Sequence, residues 1–214
     1  MENLKILSMN LGRRFVPIKD KGKRKYLMDF IKAEDYDIVM LQGKAITTNI
    51  NFSKMDCDAV TYYNRMTLLY DKPLKGYDSD FKSKVVSSTV MYNKDLIACI
   101  NVNCDNPKNM EDVYKVCEAY SNPNATHALE TRIVAGRLPR EVDTNEFCDA
   151  FDLDDISTLV GVMSHAKNNR EMVNHFFISR DLEAESVHKL VGMTEVYGIG
   201  EAYPIEVTLK KVLK

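Results

Sequence analysis

The sequence lacks the short motifs that mark several large enzyme classes. It contains no Walker-type phosphate loop, no GxGxxG dinucleotide fingerprint and no GxSxG nucleophile elbow. Its four histidines are too dispersed for an HExxH helix or a zinc finger. These absences argue against the common nucleotide-hydrolysing, dinucleotide-dependent, serine-hydrolase and zinc-dependent classes.

Cysteine pairs and long apolar runs are also missing. The five cysteines are an odd number and none are spaced as CxxC, so we expect free thiols in a reducing compartment, mostly packed as small apolar groups. No apolar run approaches the roughly 18 residues of a membrane helix, and the start Met-Glu-Asn-Leu-Lys has no signal-peptide core. We therefore expect a cytoplasmic protein without a membrane partner. The cysteines are Cys57, Cys99, Cys104, Cys117 and Cys148.

The bulk composition is that of an ordinary globular protein. The chain has 214 residues, of which 45% are hydrophobic and 28% charged, and this favours one domain over residues 1–214. The net charge of −2 gives no overall attraction to nucleic acid.

Apolar periodicity predicts an α/β fold. Two apolar runs, Leu4–Met9 and Asp37–Leu41, suit buried strands. Between them lie four apolar residues at helical spacing, so the chain opens as strand, helix, strand. The later predicted elements are a hairpin of Ser87–Tyr92 and Ile97–Val102 turning at Asn93-Lys-Asp95, a helix on Met110, Val113, Tyr114 and Cys117, a strand Thr131–Ala135, a helix capped by Thr144, and strands Val173–Ser179, Val187–Val196 and Pro204–Leu209.

Six segments in this order resemble the endonuclease/exonuclease/phosphatase (DNase I-like) superfamily. They are Leu4–Gly12, Asp35–Gln42, the hairpin Ser88–Asn103, Ile133–Gly136, Val173–Ser179 and Tyr203–Leu209. The resemblance implies a two-sheet α/β sandwich with helices packed outside. It also implies a site at the strand ends, where carboxylates hold Mg²⁺ and an Asp–His pair prepares the attacking water.

The residues at those strand ends depart from the family pattern. Asn10 is kept, but the metal-binding Glu after Leu-Gln falls on Gly43. The Asp of Gly-Asp-Phe-Asn falls on Arg137, and the Asp that orients the histidine falls on Asn174. The last Asp falls on Glu201 and the catalytic His on Ala202. Two negative charges are lost and one positive charge is gained, which opposes Mg²⁺ binding.

The resemblance therefore indicates a catalytically inactive relative that is retained for binding a protein or a phosphate-bearing ligand, with no cofactor. One alternative is an active enzyme with Mg²⁺ and a site rebuilt from Asn10, Asp37, Asn174, His175 and Glu201. Another is a structural subunit of a viral or multisubunit assembly. Arg137 has two interpretations as well: it attracts a phosphate or carboxylate, or it neutralises Glu201 or another acid of the cleft and holds the cleft shut. Asn10 either contributes to binding or is vestigial.

A basic segment adds a second candidate contact with phosphates. Between positions 13 and 25 only Asp20 opposes seven cations, and this segment either binds nucleic acid by charge or is a solvated loop. Its aromatic residues are limited to Phe15 and Tyr26 at its end. The predicted ligand-binding set is Asn10, Arg137, Arg13, Arg14, Lys23 and Arg24.

Overall fold

The structure is a computed structural model and describes residues 3–11, 21–42, 59–63, 67–70, 85–104, 106–160, 174–199 and 202–212. The strands of this part are β1 (Leu4–Asn10), β2 (Ile38–Gln42), β3 (Ala59–Tyr63), β4 (Thr67–Tyr70), β5 (Val85–Tyr92), β6 (Asp95–Asn103), β7 (Thr131–Arg137), β8 (Leu153–Asp155), β9 (Asn174–Ser179), β10 (Leu182–Lys189) and β11 (Ile205–Lys211). Its helices are α1 (Lys21–Ala33), α2 (Met110–Ser121), α3 (Thr144–Phe151) and α4 (Val191–Glu195), with 3-10 turns at Pro107–Asn109 and Ile156–Val160.

The strands form two sheets that pack face to face. The first has the order β10-β11-β1-β2-β3 and the second β4-β5-β6-β7-β9-β8. Strands β1 and β2 pair in parallel, as do β6 and β7, and the other neighbours are antiparallel. The parallel pairs face each other, because β1 and β2 contact β6 and β7 across the interface between the sheets.

Side-chain alternation builds the core on both sides of each sheet. In β1, Leu4 and Ile6 point into the layer between the sheets, whereas Leu7 and Met9 point outward. Residues of both parities are therefore buried, which explains why β1 is rich in apolar residues and β2 is a continuous apolar run up to Gln42.

The helices cover the outer faces. Apolar residues of α1 and α4 pack on the outer face of the first sheet, and those of α2 and α3 pack on the outer face of the second. The predicted two-sheet α/β sandwich with helices outside is confirmed. Within the described part of the chain, no helix has both the length and the apolar character that crossing a membrane requires.

Two local predictions are wrong. The strand predicted over Val187–Val196 ends at Lys189, and α4 follows because Met193 and Thr194 are buried on one side of a short helical turn. Helix α3 is capped by Asp143 and not by Thr144, since the Asp143 carboxylate accepts from the backbone N–H groups of Asn145 and Glu146. The hairpin prediction is confirmed: Asn93 and Lys94 both have positive φ, at 48° and 73°, as a two-residue turn between twisted strands requires.

The described cysteines are free thiols. Cys99, Cys104 and Cys117 are buried, and Cys148 is half-buried. Burial raises the pKa of Cys117 to about 12, so this thiol stays protonated at neutral pH. Cys57 lies outside the described residues.

Gly136 sets the spacing between β6 and β7. Its φ is 130°, and a Cβ placed there would lie 2.0 Å from the carbonyl oxygen of Val102. A side chain at this position would therefore force the parallel strands apart.

We expect Gly136→Ala to lower the free energy of unfolding by at least about 3 kcal/mol, because backbone strain and steric overlap add. Urea-induced unfolding measures the change. Gly192→Ala is the control, since a Cβ there meets nothing within 4 Å. That control should be neutral or slightly stabilising, and equal losses in both variants would contradict the prediction.

Candidate functional site

A layer of polar side chains closes one end of the space between the sheets. Strands β1 and β2 end side by side at Asn10 and Gln42, which are register partners. The facing sheet contributes Asn101 of β6, Arg137 of β7 and Asn174 of β9. We call these five residues the polar layer. Apart from Ser8 of β1, the neighbouring inward-facing positions of these strands are apolar, so the core gives way to polar groups at this layer.

The amides of this layer join the two sheets. The Asn10 Nδ2 atom donates to Asn174 Oδ1 at 3.5 Å, and Gln42 Nε2 donates to Asn101 Oδ1 at 2.8 Å. The Asn101 Nδ2 atom also lies 3.3 Å from the Leu41 carbonyl oxygen. All four amide residues are almost fully buried, so these bonds form away from water and fix the strand ends relative to one another.

One amide group is poorly satisfied. Three acceptors lie near Gln42 Nε2: Asn101 Oδ1, Met40 O at 3.3 Å and Ser8 Oγ at 3.4 Å. The NH₂ group has only two hydrogens, so it cannot donate a separate hydrogen to each. The Gln42 Oε1 atom is buried and has no hydrogen-bond partner among the residues that the structure describes. An unsatisfied buried acceptor costs about 1–3 kcal/mol. The layer is therefore not arranged for maximal stability.

Arg137 is the cation of the layer. As the last residue of β7 it pairs with Asn103 on one side and Asn174 on the other. It has the same strand parity as Ile133 of the core between the sheets, which places it on the inner face. Its side chain is half-buried, and in the part of the chain that the structure describes no group accepts a hydrogen bond from the guanidinium.

The structure thus brings three of the predicted cleft residues together: Asn10, Arg137 and Asn174. Ala202 is buried, and its carbonyl oxygen accepts from Thr194 Oγ1 at 3.3 Å. Gly43 and Glu201 lie outside the described residues, and so does any contact between Glu201 and Arg137.

The described residues of the layer do not fit Mg²⁺. They supply amide groups and a guanidinium, whereas this hard cation prefers carboxylate oxygens. Among the residues that the structure covers, no group of three or more His, Cys, Asp or Glu side chains could hold a metal ion. A guanidinium beside the site repels a dication, so no step through a metal follows from this arrangement.

Two members of the alternative catalytic set, Asp37 and His175, lie away from Asn10 and Asn174. Asp37 precedes β2 and accepts from the Lys5 backbone N–H at 2.9 Å, at the opposite end of the strand from Gln42. His175 points to the outer face of the second sheet, where its Nδ1 lies 3.0 Å from Asp155 Oδ2 and its ring stacks on Phe177. The sheet itself separates His175 from the amides of Asn10 and Asn174.

The basic segment is described in part. Residues 12–20, and with them Arg13 and Arg14, lie outside the described residues, as does the side chain of Arg24. Lys23 is on α1, and its Nζ donates to the Gly198 carbonyl oxygen at 3.3 Å. This contact places the first turn of α1 beside the turn that follows α4.

Sequence reasoning missed Gln42 and Asn101 as members of the layer. Gln42 was visible as part of the Leu-Gln ending of its strand. Asn101 stands in a strand of mostly apolar residues, and a buried polar residue inside such a strand was the available signal.

Several solved structures share this fold. An endonuclease/exonuclease/phosphatase from Bacteroides vulgatus is 10% identical, with a TM-score of 0.72 over 99% of this chain and 100% of that one. D. rerio TDP2 complexed with single-strand DNA product is 12% identical, with a TM-score of 0.70 over 99% and 100%. The human Nocturnin catalytic domain with bound sulfate is 10% identical, with a TM-score of 0.67 over 98% and 94%.

These likenesses confirm that the chain has the fold of endonuclease/exonuclease/phosphatase proteins, as the resemblance predicted. No protein-family model matches the sequence. No curated protein matches it either.

The bond between Gln42 and Asn101 can be tested by a double-mutant cycle. We expect Asn101→Leu to destabilise the fold by about 2 kcal/mol, because it removes the shortest acceptor of Gln42 and leaves that amide buried. Adding Gln42→Leu should cost less than the sum of the single changes, with a coupling of at least about 1 kcal/mol.

The control pair is Gln42→Leu with Ser179→Ala, at the opposite end of β9 from the polar layer. Its effects should add to within about 0.5 kcal/mol. Urea-induced unfolding measures all variants, and strict additivity for Gln42 and Asn101 would show that the two amides do not depend on each other.

Proposed function

We propose that this chain is a catalytically inactive binding protein, and that its polar layer receives a phosphate-bearing ligand. One observation carries the proposal. Arg137 is the last inward-facing residue of β7, and it pairs with Asn174, whose buried amide is bonded to Asn10. These are the strand ends at which the resemblance implies a metal held by carboxylates.

The chemistry of Arg137 supports an anionic ligand. A guanidinium presents a planar array of donors that matches two oxygens of a phosphate, and a charge-assisted bond of this kind is stronger than a neutral one. Partial burial strengthens the attraction further, because water screens the charges less. Asn174 is the strand partner of Arg137 and accepts a hydrogen bond from Asn10, so both amides can orient an oxyanion or the groups attached to it.

The residues that would perform hydrolysis are replaced. By the resemblance, the catalytic histidine falls on Ala202, whose methyl group accepts no proton, and a metal ligand falls on Gly43. Without a base and a metal, the site can attract a phosphate ester but cannot activate water against it.

Two structures of similar fold hold ligands of this class. The D. rerio TDP2 structure contains a single-strand DNA product, and the human Nocturnin structure contains a sulfate anion. Phosphate esters and sulfate are both tetrahedral oxyanions, which is the geometry that Arg137 suits.

The first test is hydrolysis. With Mg²⁺ or Mn²⁺ present, the purified protein should release no product from single-stranded DNA, RNA or p-nitrophenyl phosphate above a protein-free control. Turnover that Asn10→Ala or Glu201→Ala abolishes would show instead that the chain is an enzyme with a rebuilt site.

The second test is anion binding. We expect tripolyphosphate to bind the wild type, and Arg137→Ala to weaken binding at least about tenfold, since a lost charge-assisted bond costs about 1.5–3 kcal/mol. Arg137→Lys should lose part of the affinity, because an ammonium cannot make the paired contact. Isothermal titration calorimetry measures each constant.

Arg180→Ala is the matched control. It removes the same charge at the far end of β9, where Arg180 is exposed and lies 3.0 Å from Asp152. This control should bind as the wild type does. If both variants lost affinity equally, net charge would explain the binding and Arg137 would have no special role.

A further inference from the structure

A stacked pair of tyrosines lies beside the first turns of α1. The rings of Tyr26 and Tyr197 have centroids 4.0 Å apart and an interplanar angle of 23°. The residues are 171 positions apart in sequence and meet because α1 and α4 cover the same outer face of the first sheet. Tyr26 packs against the apolar core of that face, whereas Tyr197 is 45% exposed. The order from inside to outside is therefore core, Tyr26, Tyr197 and solvent.

The turn that carries Tyr197 is well fixed. Gly198 has a φ of 60°, and its backbone N–H donates to the Thr194 carbonyl oxygen at 3.1 Å. The Ile199 N–H donates to Met193 O at 3.0 Å, which completes the end of α4. Lys23 holds the same turn from α1 through the Gly198 carbonyl oxygen. An aromatic ring on such a turn meets a ligand with little loss of conformational entropy.

The helix that carries Tyr26 has more basic than acidic residues. Helix α1 carries five basic residues and one acidic residue, Asp29. Lys25, which directly precedes Tyr26, is exposed, and the Lys23 side chain contacts Gly198. The fold thus places the exposed ring of Tyr197 on a turn that Lys23 of this helix contacts.

The turn also leads to the polar layer's end of the sandwich. The Thr194 hydroxyl lies 3.1 Å from Ile199 O and 3.3 Å from Ala202 O. This one side chain therefore links the turn that carries Tyr197 to Ala202. Ala202 immediately precedes the segment that leads into β11, whose residue Ile205 pairs with Ser8 of β1.

We propose that Tyr197 is a stacking platform for a base of single-stranded nucleic acid, with the phosphates next to that base contacting the lysines of α1. Ring faces accept any base, and cations beside them follow the backbone, which is how sequence-tolerant single-strand sites are built. A protein partner would be expected to meet a broader apolar surface without this excess of one charge. The inference rests on the proposed function, because it names the class of phosphate-bearing ligand.

Fluorescence anisotropy with labelled oligothymidylate of about ten nucleotides tests the platform. We expect Tyr197→Leu to weaken binding at least about fivefold, since base stacking on an aromatic ring is worth about 1–3 kcal/mol. Tyr197→Phe keeps the ring and should stay within about twofold of the wild type. Equal affinity of the Leu variant and the wild type would overturn the proposal, as would failure of the wild type to bind the oligonucleotide.

An abasic oligonucleotide of the same length separates this proposal from the proposed function. It keeps the phosphates and lacks the bases, so Tyr197→Leu should not change its binding, whereas Arg137→Ala should weaken it. Lys25→Gln should weaken the binding of both oligonucleotides, and it should reduce the slope of log K against log salt concentration by about 1, as the loss of one phosphate contact does. If Tyr197→Leu weakened the abasic probe as much as the normal one, the tyrosine would act on the fold and not as a platform. An Arg137→Ala variant that binds both probes normally would refute the proposed function and leave the platform standing.

Discussion

The candidate site depends on how closely β7 approaches β6. Gly136 makes that approach possible, because its missing side chain leaves room for the Val102 carbonyl oxygen and its φ is one that other residues rarely adopt. Arg137 follows Gly136 directly. The backbone geometry that brings the two strands together therefore also sets the position from which the Arg137 side chain extends. Arg137 pairs with Asn174 of β9, and Asn174 accepts a hydrogen bond from Asn10 of the opposite sheet. A change at Gly136 would therefore reach both the pairing of the sheet and the amide contact between sheets.

Electrostatics decides what such a strand end can do. Carboxylates at these positions would gather a dication, and the dication would both attract a phosphate and stabilise the charge that develops when its bond breaks. A single guanidinium attracts the phosphate directly. It interacts with the ground state without supplying an activated water, and uniform binding of this kind raises affinity but not turnover. In our proposal, Arg137 in place of the family's acid therefore preserves the class of ligand and removes the reaction.

Much of the fold could be predicted from the sequence because strands that are buried on both faces are rich in apolar residues. β1, β2 and β7 were visible in this way, and the turn at Asn93 and Lys94 was visible from its residue types. The helix α4 was missed because its few residues have too little periodicity, and strand-like residues stand at its first position, Val191, and directly after its end, Val196. Asn10, Arg137 and Asn174 were predicted through the resemblance. Gln42 and Asn101 were not, since their bond joins residues 59 positions apart and depends on the packing of two sheets.

The tyrosine pair illustrates the same limit and shows what the fold adds. The sequence offered Tyr26 as an aromatic residue at the end of a basic segment, which is a weak indication of single-strand binding. Tyr197 supplies the missing ring from a distant part of the chain, and Gly198 and Thr194 fix it on a turn that leads toward Ala202. A basic segment with one half-buried aromatic residue would be explained as a solvated helix face. In our proposal, the lysines at the start of α1 and the exposed ring of Tyr197 are two components of one site, the lysines for phosphates and the ring for bases. A ligand that engages both components carries phosphates and unpaired bases on one strand.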